Sequence, residues 1–196
     1  IGQRERFSGD RANRLEADKL AKLSDPLVGY ALKLQAAFGL RREEAIKFRV
    51  AFADRGDRLV LKPSWTKGGR YREIPLTHPK QRALLDEIRQ AVGDRALIPD
   101  GASYRTQLQR YKHQIAKAGL GNGHGLRHAY AQWRYKVLTG ESCPARGGRD
   151  ASGMNAAERA RDRHAREVIA EELGHGRIDV TDTYLGRRNL KAEAAS

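Results

Sequence analysis

Glycines that end runs of helically spaced apolar residues constrain the fold of this chain more than any other feature. The clearest run begins at Asp25 and Pro26, which favour a helix N-cap and a first helical turn. It ends at Gly39, and its apolar residues recur at helical spacing: Leu27, Val28, Ala31, Leu32, Leu34 and Phe38. Similar runs end at Gly93, Gly119, Gly140 and Gly174. A chain divided in this way is predicted to be mainly α-helical.

Residues 50–75 depart from this pattern. Three short β-like segments occur there: Val50–Phe52, Leu59–Leu61 and Tyr71–Pro75. Asp54–Asp57 predicts a turn between the first two segments, and the glycines of Thr66–Arg70 predict a second turn before the third. The sequence therefore predicts an α+β fold, mainly α with a small antiparallel three-stranded β-sheet, and places Lys67 at the tip of its second hairpin.

The charge balance indicates a polyanionic partner. Against 24 Asp and Glu the chain carries 38 Lys and Arg, which gives a formal net charge of +14 and a sequence pI near 10.3. Such an excess repels itself in a compact protein, so nucleic acid is the first candidate partner. An anionic membrane surface is the lesser alternative, since no amphipathic helix carries a face of Trp, Phe and Leu. No segment approaches the roughly 18 consecutive apolar residues of a membrane span.

Cysteine usage and the polar N-terminus indicate the compartment. Cys143 is the only cysteine, which excludes an internal disulfide and a cysteine-based metal cluster and fits a reducing environment. The first residues are polar and do not resemble a secretory signal. We therefore expect a cytoplasmic protein, in the bacterial cytosol or nucleoid. Because the chain begins at Ile1 rather than at Met, we also expect it to be a fragment.

The stretch His124–His128 concentrates two histidines and an arginine. If the segment is helical from His124, Arg127 at i+3 and His128 at i+4 share its face. Taken alone, a solvated basic helix start explains this stretch equally well. An arginine fork can bind a phosphate through two hydrogen bonds, and histidine can transfer protons near neutral pH. A lysine can protonate a departing alkoxide, and a tyrosine can attack phosphorus and store the bond as a phosphotyrosyl ester.

Four segments resemble, in this order, the catalytic domain of the tyrosine recombinases, the phage-integrase family. They are Phe38–Glu44, Thr66–Leu76, His124–His128, and Leu173–His175 with Tyr184 nine residues further on. Each segment is common by chance, and their order together with the predicted hairpin carries the resemblance. It covers roughly Asp25 to Arg187 and implies the DNA breaking-rejoining enzyme fold of that family. It also implies a DNA integration or recombination enzyme of a phage or mobile element.

The resemblance implies roles for seven residues, six of them catalytic: Arg41, Lys67, His124, Arg127, His175 and Tyr184, with Glu44 supporting the site. The two arginines would hold the non-bridging oxygens of the scissile phosphate. His124 would share that phosphate and assist proton transfer, and His175 would hydrogen-bond to it. Lys67 would be the general acid for the 5′-hydroxyl leaving group. Tyr184 would be the nucleophile that forms a 3′-phosphotyrosyl link.

The same resemblance implies the partners. Double-stranded DNA would be the substrate, and the protein would form a homotetramer on DNA and a monomer in isolation. No metal and no cofactor would take part, because the arginines supply the electrostatic stabilisation. The N-terminal DNA-clamping domain typical of the family is not present in this chain. We therefore expect residues 1–14 to be a linker or flexible arm, residues 15–187 a catalytic domain and residues 188–196 a C-terminal tail.

Ordinary structural roles would also account for these residues one at a time. Arg41 would cap a helix or pair with Glu44, Lys67 would be a solvated turn residue, and His175 would end a helix. Tyr184 would be a core residue. His128 is expected to be structural even in a recombinase. The other histidines are predicted to lie at the surface: His78, His113 and His164.

A basic stretch near residues 141–165 has no counterpart in the family pattern. Its arginines are Arg146, Arg149, Arg159, Arg161 and Arg163. Two interpretations remain open, an added DNA-contacting element and a disordered surface insertion. The residues predicted to contact DNA outside the catalytic set are Arg70, Arg72, Arg146 and Arg149.

Two other functions fit the same residues. One is a DNA-binding module that keeps the recombinase fold without cleaving, for instance a regulator. The other is a type IB topoisomerase, which uses the same chemistry to relax DNA without exchanging strands. The first is disfavoured because all six catalytic positions hold the expected residue types.

Overall fold

The computed structural model describes residues 10–66, 68–121 and 123–189. It divides into two compact units. The N-terminal unit comprises residues 13–130, and the C-terminal unit comprises residues 10–12 and 131–189 of the described chain. Most of the predicted arm and tail, residues 1–9 and 190–196, and the predicted general acid Lys67 lie outside the described residues. Along the part that is described, no helix is both long enough and apolar enough to cross a membrane.

Helices dominate both units. The helices of the N-terminal unit are α1 (Ala17–Leu20), α2 (Pro26–Phe38), α3 (Arg42–Ile46), α4 (Val50–Ala53), α5 (Pro79–Val92) and α6 (Tyr104–Lys117). Helix α7 (His124–Thr139) begins in the N-terminal unit and ends in the C-terminal unit, which also contains α8 (Ala156–Glu172) and α9 (Asp182–Leu185). The strands are β1 (Arg58–Leu61) and β2 (Arg72–Pro75). Short 3₁₀ turns are Pro63–Trp65, Pro144–Arg146, Ala151–Gly153 and Ile178–Thr181.

Helix α2 is the central element of the N-terminal unit. Asp25 caps it by accepting a hydrogen bond from the Leu27 N–H, Pro26 occupies the first turn, and Gly39 ends it in the left-handed conformation (φ 62°). Its buried face packs against α3, α5 and α6. That face consists of Val28, Ala31, Leu32, Leu34, Gln35 and Phe38. The start and end that the sequence predicts for this helix are confirmed.

The sheet has two strands, so the prediction of a three-stranded sheet is wrong. Strands β1 and β2 pair antiparallel, with Arg58 opposite Pro75 and Leu61 opposite Arg72. The segment Val50–Phe52, predicted as a strand, belongs to helix α4. Alternation would have buried Val50 and Phe52, whereas the helical spacing of three buries Val50 and Ala53 against α5 and β1. What remains of the predicted pairing is an isolated bridge between Asp54 and Leu59.

The C-terminal unit packs around α8. Asn155 caps α8 by accepting from the Glu158 N–H, and the Glu158 side chain accepts from the Asn155 N–H in return. Helix α8 contacts the turn Ile178–Thr181, and α9 contacts that turn and the turn Pro144–Arg146. The apolar side chains buried here include Tyr135, Cys143, Ala165, Ile169, Leu173 and Leu185. The stretch between α7 and α8 is ordered into 3₁₀ turns with Cys143, Ala151 and Met154 buried, which disagrees with a disordered insertion.

Asp54 ties α4 to α5 through two arginines. Arg82 donates two hydrogen bonds to its carboxylate, at 2.6 and 2.8 Å, and Arg89 donates a third at 2.6 Å. The Asp54 side chain is 4% exposed. The hydrogen bond from Arg82, ahead of that from the Gly56 N–H and those from Arg89, holds the pKa of Asp54 well below its usual range.

We expect Asp54→Asn to lower the free energy of unfolding at pH 7 by about 1–3 kcal/mol, because it removes the charge that the arginines bind. A depressed folded-state pKa contributes stability above the unfolded pKa, and this contribution is lost as the pH falls through the folded pKa. Urea unfolding of both proteins should therefore show the difference shrinking at acid pH. Asp57→Asn is the control, since that side chain is 77% exposed and pairs with its neighbour Arg58 at the surface. A difference that does not change with pH would contradict this explanation.

Candidate functional site

Arg41 lies at the N-cap of α3, two residues after Gly39 ends α2. Its backbone N–H donates to Glu44 Oε2 at 2.7 Å, and its guanidinium Nη1 donates to Glu44 Oε1 at 3.0 Å. The Arg41 side chain remains 29% exposed. The contacts of a capping and pairing residue are therefore present, while part of the guanidinium still reaches the solvent.

Glu44 is fully buried and binds arginines from two parts of the chain. Arg72 on β2 donates from Nη2 to Glu44 Oε2 at 2.6 Å, and the Arg72 side chain is itself 3% exposed. Burial alone would raise the pKa of Glu44. The charge of Arg72, the hydrogen bond from the Arg41 N–H and the charges of Arg41 and Arg127 together lower this pKa below its ordinary value. Glu44 is therefore a carboxylate that stays ionised inside the protein.

Arg127 lies in the first turns of α7, close to the Arg41 segment. It is 2% exposed, and its guanidinium Nη1 donates to the backbone carbonyl of Gly39. Its charge acts on Glu44, as the lowered pKa of that carboxyl shows. Arg41 and Arg72 thus bind one buried carboxylate, and the charge of Arg127 also acts on it. We call these four residues the Glu44 cluster, and three guanidinium groups around one carboxylate suit the binding of an anion.

His124 is the first residue of α7 and is exposed. Its ring meets the ring of His128 edge to face, with 5.3 Å between the ring centroids. His128 is 2% exposed, which agrees with a structural residue. His78, His113 and His164 are exposed, as expected from the sequence, and the His78 ring also caps α5 by accepting from the Lys80 N–H.

Two glycines beside His124 allow close packing at the start of α7. A Cβ atom at Gly123 would overlap Gln35 Oε1 and lie 2.8 Å from the Tyr111 hydroxyl. Gln35 and Tyr111 are buried, and the Gln35 amide donates to that hydroxyl at 2.7 Å. A Cβ at Gly125 would overlap the Asn13 side chain. Because only glycine fits at both positions, the two glycines determine where the His124 side chain projects from the protein surface.

His175 owes its position to the end of α8. Gly174 adopts the left-handed conformation (φ 65°), its N–H donates to the Glu171 carbonyl, and the His175 N–H donates to the Ala170 carbonyl. These two bonds form a Schellman motif, which requires a residue such as glycine before the histidine. The sequence Leu-Gly-His thus forms a helix end that sets the backbone position of the histidine after the glycine.

Tyr184 stacks on His175. Their ring centroids are 5.3 Å apart, and the ring planes differ by 27°. Tyr184 lies in the single turn of α9, is 5% exposed, and its backbone carbonyl accepts from Gln132 at 3.2 Å. The predicted site residues therefore form two groups, one within each unit: Arg41, Glu44, His124 and Arg127 in the N-terminal unit, and His175 with Tyr184 in the C-terminal unit.

The predicted DNA-contacting residues differ in exposure. Arg70 and Arg146 are exposed, and Arg149 is exposed but bound by Glu141 and Glu158 at 2.7 and 3.0 Å. Arg72, which is also predicted to contact DNA, is buried against Glu44. Among the described residues, no three His, Cys, Asp or Glu side chains are grouped as metal ligands would be.

Sequence reasoning missed the partnership of Arg72 with Glu44 and the role of Gln35. A signal existed for the first, since alternation along β2 places Arg72 and Ile74 on the buried face and Glu73 outside. For Gln35 there was none, because one polar residue on the apolar face of a helix does not reveal its partner.

A profile of the Integrase family matches residues 10–133. The match spans more than half of the chain and includes the positions of Arg41, Lys67, His124 and Arg127, whereas His175 and Tyr184 lie beyond it. No significant match is found among curated proteins.

Two solved structures share the fold. The catalytic domain of the bacteriophage HP1 integrase is 19% identical, with a TM-score of 0.56 over 94% of this chain and 92% of that one. The XerH site-specific recombinase, in a post-cleavage complex with a palindromic difH substrate, is 20% identical, with a TM-score of 0.51. That match covers 93% of this chain and 47% of the XerH chain, so the chain spans about half the length of this relative. At these identities the likeness shows the fold.

We expect Glu44→Gln to destabilise the protein by about 3–5 kcal/mol, because it leaves the buried Arg72 without its carboxylate. The matched control is Glu43→Gln in the same helix, where the side chain is 45% exposed and pairs with Lys47. A surface pair of that kind contributes about 0–1 kcal/mol. Urea unfolding measures both values, and equal losses in the two variants would show that burial of the Glu44 pair is not what matters.

Proposed function

The chain belongs to the integrase family, the tyrosine recombinases, and from that membership we propose that it cleaves and rejoins DNA at specific sites through Tyr184. The observation that carries this proposal is that Arg41, bound to the buried carboxylate of Glu44, lies two residues after Gly39, whose carbonyl accepts a hydrogen bond from Arg127. The stacking of His175 on Tyr184 supports it from the C-terminal unit. We propose that all six catalytic residues act on one scissile phosphate, as they do in the family.

In this proposal Arg41 and Arg127 bind the non-bridging oxygens of the phosphate. Their charges stabilise the negative charge that builds up on these oxygens as the phosphorus becomes five-coordinate. Glu44 holds the Arg41 guanidinium, and the Gly39 carbonyl holds that of Arg127, so both forks are oriented before DNA binds. Because Arg127 is buried, its interaction with a phosphate is less screened than it would be in water.

The proposed reaction is a reversible transesterification. The Tyr184 Oη attacks phosphorus, the bond from phosphorus to the 5′ oxygen breaks, and Lys67 donates a proton to that oxygen. His124 assists the transfer of the tyrosine proton, and His175 hydrogen-bonds to the phosphate. The 3′-phosphotyrosyl ester conserves the bond energy, so a 5′-hydroxyl can reverse the step and rejoin the strand without a cofactor. The arginines take the electrostatic role that a metal would have.

Double-stranded DNA is the proposed substrate, bound by a homotetramer in the bacterial cytosol or nucleoid. The net charge of +14 supports a polyanionic partner. The XerH recombinase, which shares the fold, has been determined with its DNA substrate. We propose that Arg70 and Arg146, whose side chains are exposed, contact the DNA backbone outside the cleavage site.

The proposal predicts a covalent adduct. Nicked suicide duplexes drawn from the genomic DNA on either side of the coding region should give a DNA adduct that resists SDS. Tyr184→Phe should abolish the adduct, because it lacks the attacking oxygen. Tyr104→Phe is the control, since that half-buried tyrosine on α6 belongs to neither group of site residues.

Each outcome of this assay has a meaning. No adduct from folded protein that binds these duplexes would support a DNA-binding module that does not cleave. An adduct that persists in Tyr184→Phe would overturn the assignment of the nucleophile. Relaxation of a supercoiled plasmid without strand exchange between duplexes would favour the topoisomerase.

Binding of a DNA duplex should weaken steeply with salt, because each neutralised phosphate releases counterions and contributes about −0.9 to the slope of log K against log salt. Arg70→Ala should make this slope less steep by about one. Arg95→Ala is the matched control, since its exposed side chain pairs with Asp100 and lies outside the residues predicted to contact DNA. Fluorescence anisotropy at four or five salt concentrations measures the slope, and equal slopes for both variants would remove Arg70 from the DNA contacts.

A further inference from the structure

The residues that follow Tyr184 are held by the stretch between α7 and α8. We call residues 141–155 the strap and residues 186–189 the post-tyrosine segment. The strap is the first part of the basic stretch near residues 141–165 that has no counterpart in the family pattern. Both segments lie in the C-terminal unit.

Three contacts join the strap to the post-tyrosine segment. The Ala151 N–H donates to the Arg188 carbonyl at 3.0 Å, and the Asn189 amide donates to Asp150 Oδ2 at 2.6 Å. Gly186 packs so closely on the strap that a Cβ there would lie 2.7 Å from the Ala145 nitrogen. Backbone, side-chain and packing contacts thus hold the segment over its whole length.

The strap is itself anchored. Cys143 is fully buried, Ala151 is 5% exposed, and the Gly148 N–H donates to the Cys143 carbonyl at 3.0 Å. Arg149 donates to Glu158 on α8 at 3.0 Å and to Glu141 at 2.7 Å. The strap is therefore fixed to α8, and through the strap the post-tyrosine segment is fixed to α8 as well.

Arg166 on α8 holds both ends of α9. It is fully buried, and its Nη1 donates to Asp182 Oδ1 at 2.8 Å and to the Gly186 carbonyl at 3.0 Å. Asp182 begins α9, and Gly186 follows its last residue. Asp162 orients the guanidinium by accepting from Arg166 Nε at 2.9 Å. A helix of four residues has no stability of its own, so these anchors determine where it lies.

We infer that the strap and Arg166 position Tyr184 for attack from within its own chain. This inference rests on the proposed function, in which Tyr184 is the nucleophile. Arg166 fixes the two ends of the turn that carries Tyr184, and the strap fixes the direction in which the chain leaves it. A reacting group displaced by about 1 Å can lose about 10²-fold in rate. Arg166, Asp150 and Asn189 are thus positioning residues, which act through the chain on either side of Tyr184.

Asn189→Asp tests the strap with little change in shape. It places a second carboxylate against Asp150, and aspartate tolerates the left-handed backbone of residue 189 (φ 56°) as asparagine does. The Ala151 amide should exchange hydrogen faster, because the post-tyrosine segment leaves the strap. Adduct formation should slow about three- to tenfold, with unchanged DNA affinity and melting temperature. The double variant Asp150→Asn with Asn189→Asp swaps the two side chains and so keeps one donor and one acceptor. It should restore both the slow hydrogen exchange of the Ala151 amide and the rate of adduct formation.

Gly186→Ala tests the close packing. The new Cβ would meet the strap backbone, so adduct formation should fall about 10²-fold. Gly140→Ala is the matched control, because that glycine has a similar positive φ (81° against 88°) but nothing within 4 Å of the new Cβ. It controls for the positive φ, while Gly186 also has a ψ of 158°, and it should cleave at nearly the wild-type rate.

The measurements separate this inference from the proposed function. If hydrogen exchange of the Ala151 amide is unchanged in Asn189→Asp and in Gly186→Ala, the strap does not hold the post-tyrosine segment. Faster exchange with an unchanged rate of adduct formation, or equal losses in Gly186→Ala and Gly140→Ala, would overturn its role in positioning Tyr184. No adduct from the wild-type chain would overturn the proposed function and the positioning role with it, while hydrogen exchange would still decide whether the strap holds the segment.

Discussion

The buried carboxylate of Glu44 is the interaction on which the site in the N-terminal unit depends. Burying a charge is costly unless it is paired and hydrogen-bonded, and Glu44 meets both conditions through Arg72 and Arg41. These partners come from the β-hairpin and from the start of α3, and the charge of Arg127 on α7 acts on the same carboxylate. One side chain thus ties β2 to the start of α3, and Arg127 on α7 is held beside this pair by the Gly39 carbonyl.

The C-terminal unit uses the same device for its short elements. Arg134 forms a bidentate ion pair with Glu172, at 2.9 and 2.6 Å. Glu172 lies three residues before His175. Arg166 does the same for α9, where it binds Asp162 and Asp182. A helix of four or five residues cannot form through its own backbone hydrogen bonds. The ion pair of Arg166 with Asp182 therefore gives α9 its geometry, and the position of Tyr184 follows from it.

The sequence predicted what depends on local pattern. Helix α2 follows from Asp25, Pro26 and Gly39, because a cap, a first turn and a left-handed end are all local. Prediction from the sequence failed where tertiary contacts decide the secondary structure. Residues 50–52 are β-like in type, yet α5 and β1 stabilise them as a helix. The motifs located candidate site residues, but pattern alone did not separate arginines for DNA from arginines for the fold, and Arg72 and Arg166 belong to the fold.

The arginines that serve the fold and those proposed to serve DNA differ in how their charge is balanced. Arg166 lies between two carboxylates, and Arg134 has one of its own. In the Glu44 cluster two guanidinium groups bind a single carboxylate, and the charge of a third acts on it. Concentrating positive charge in a site of low dielectric costs free energy, and an arriving phosphate lowers that cost. Under the proposed function, the Glu44 cluster can therefore form before DNA binds, and its three arginines favour an anion.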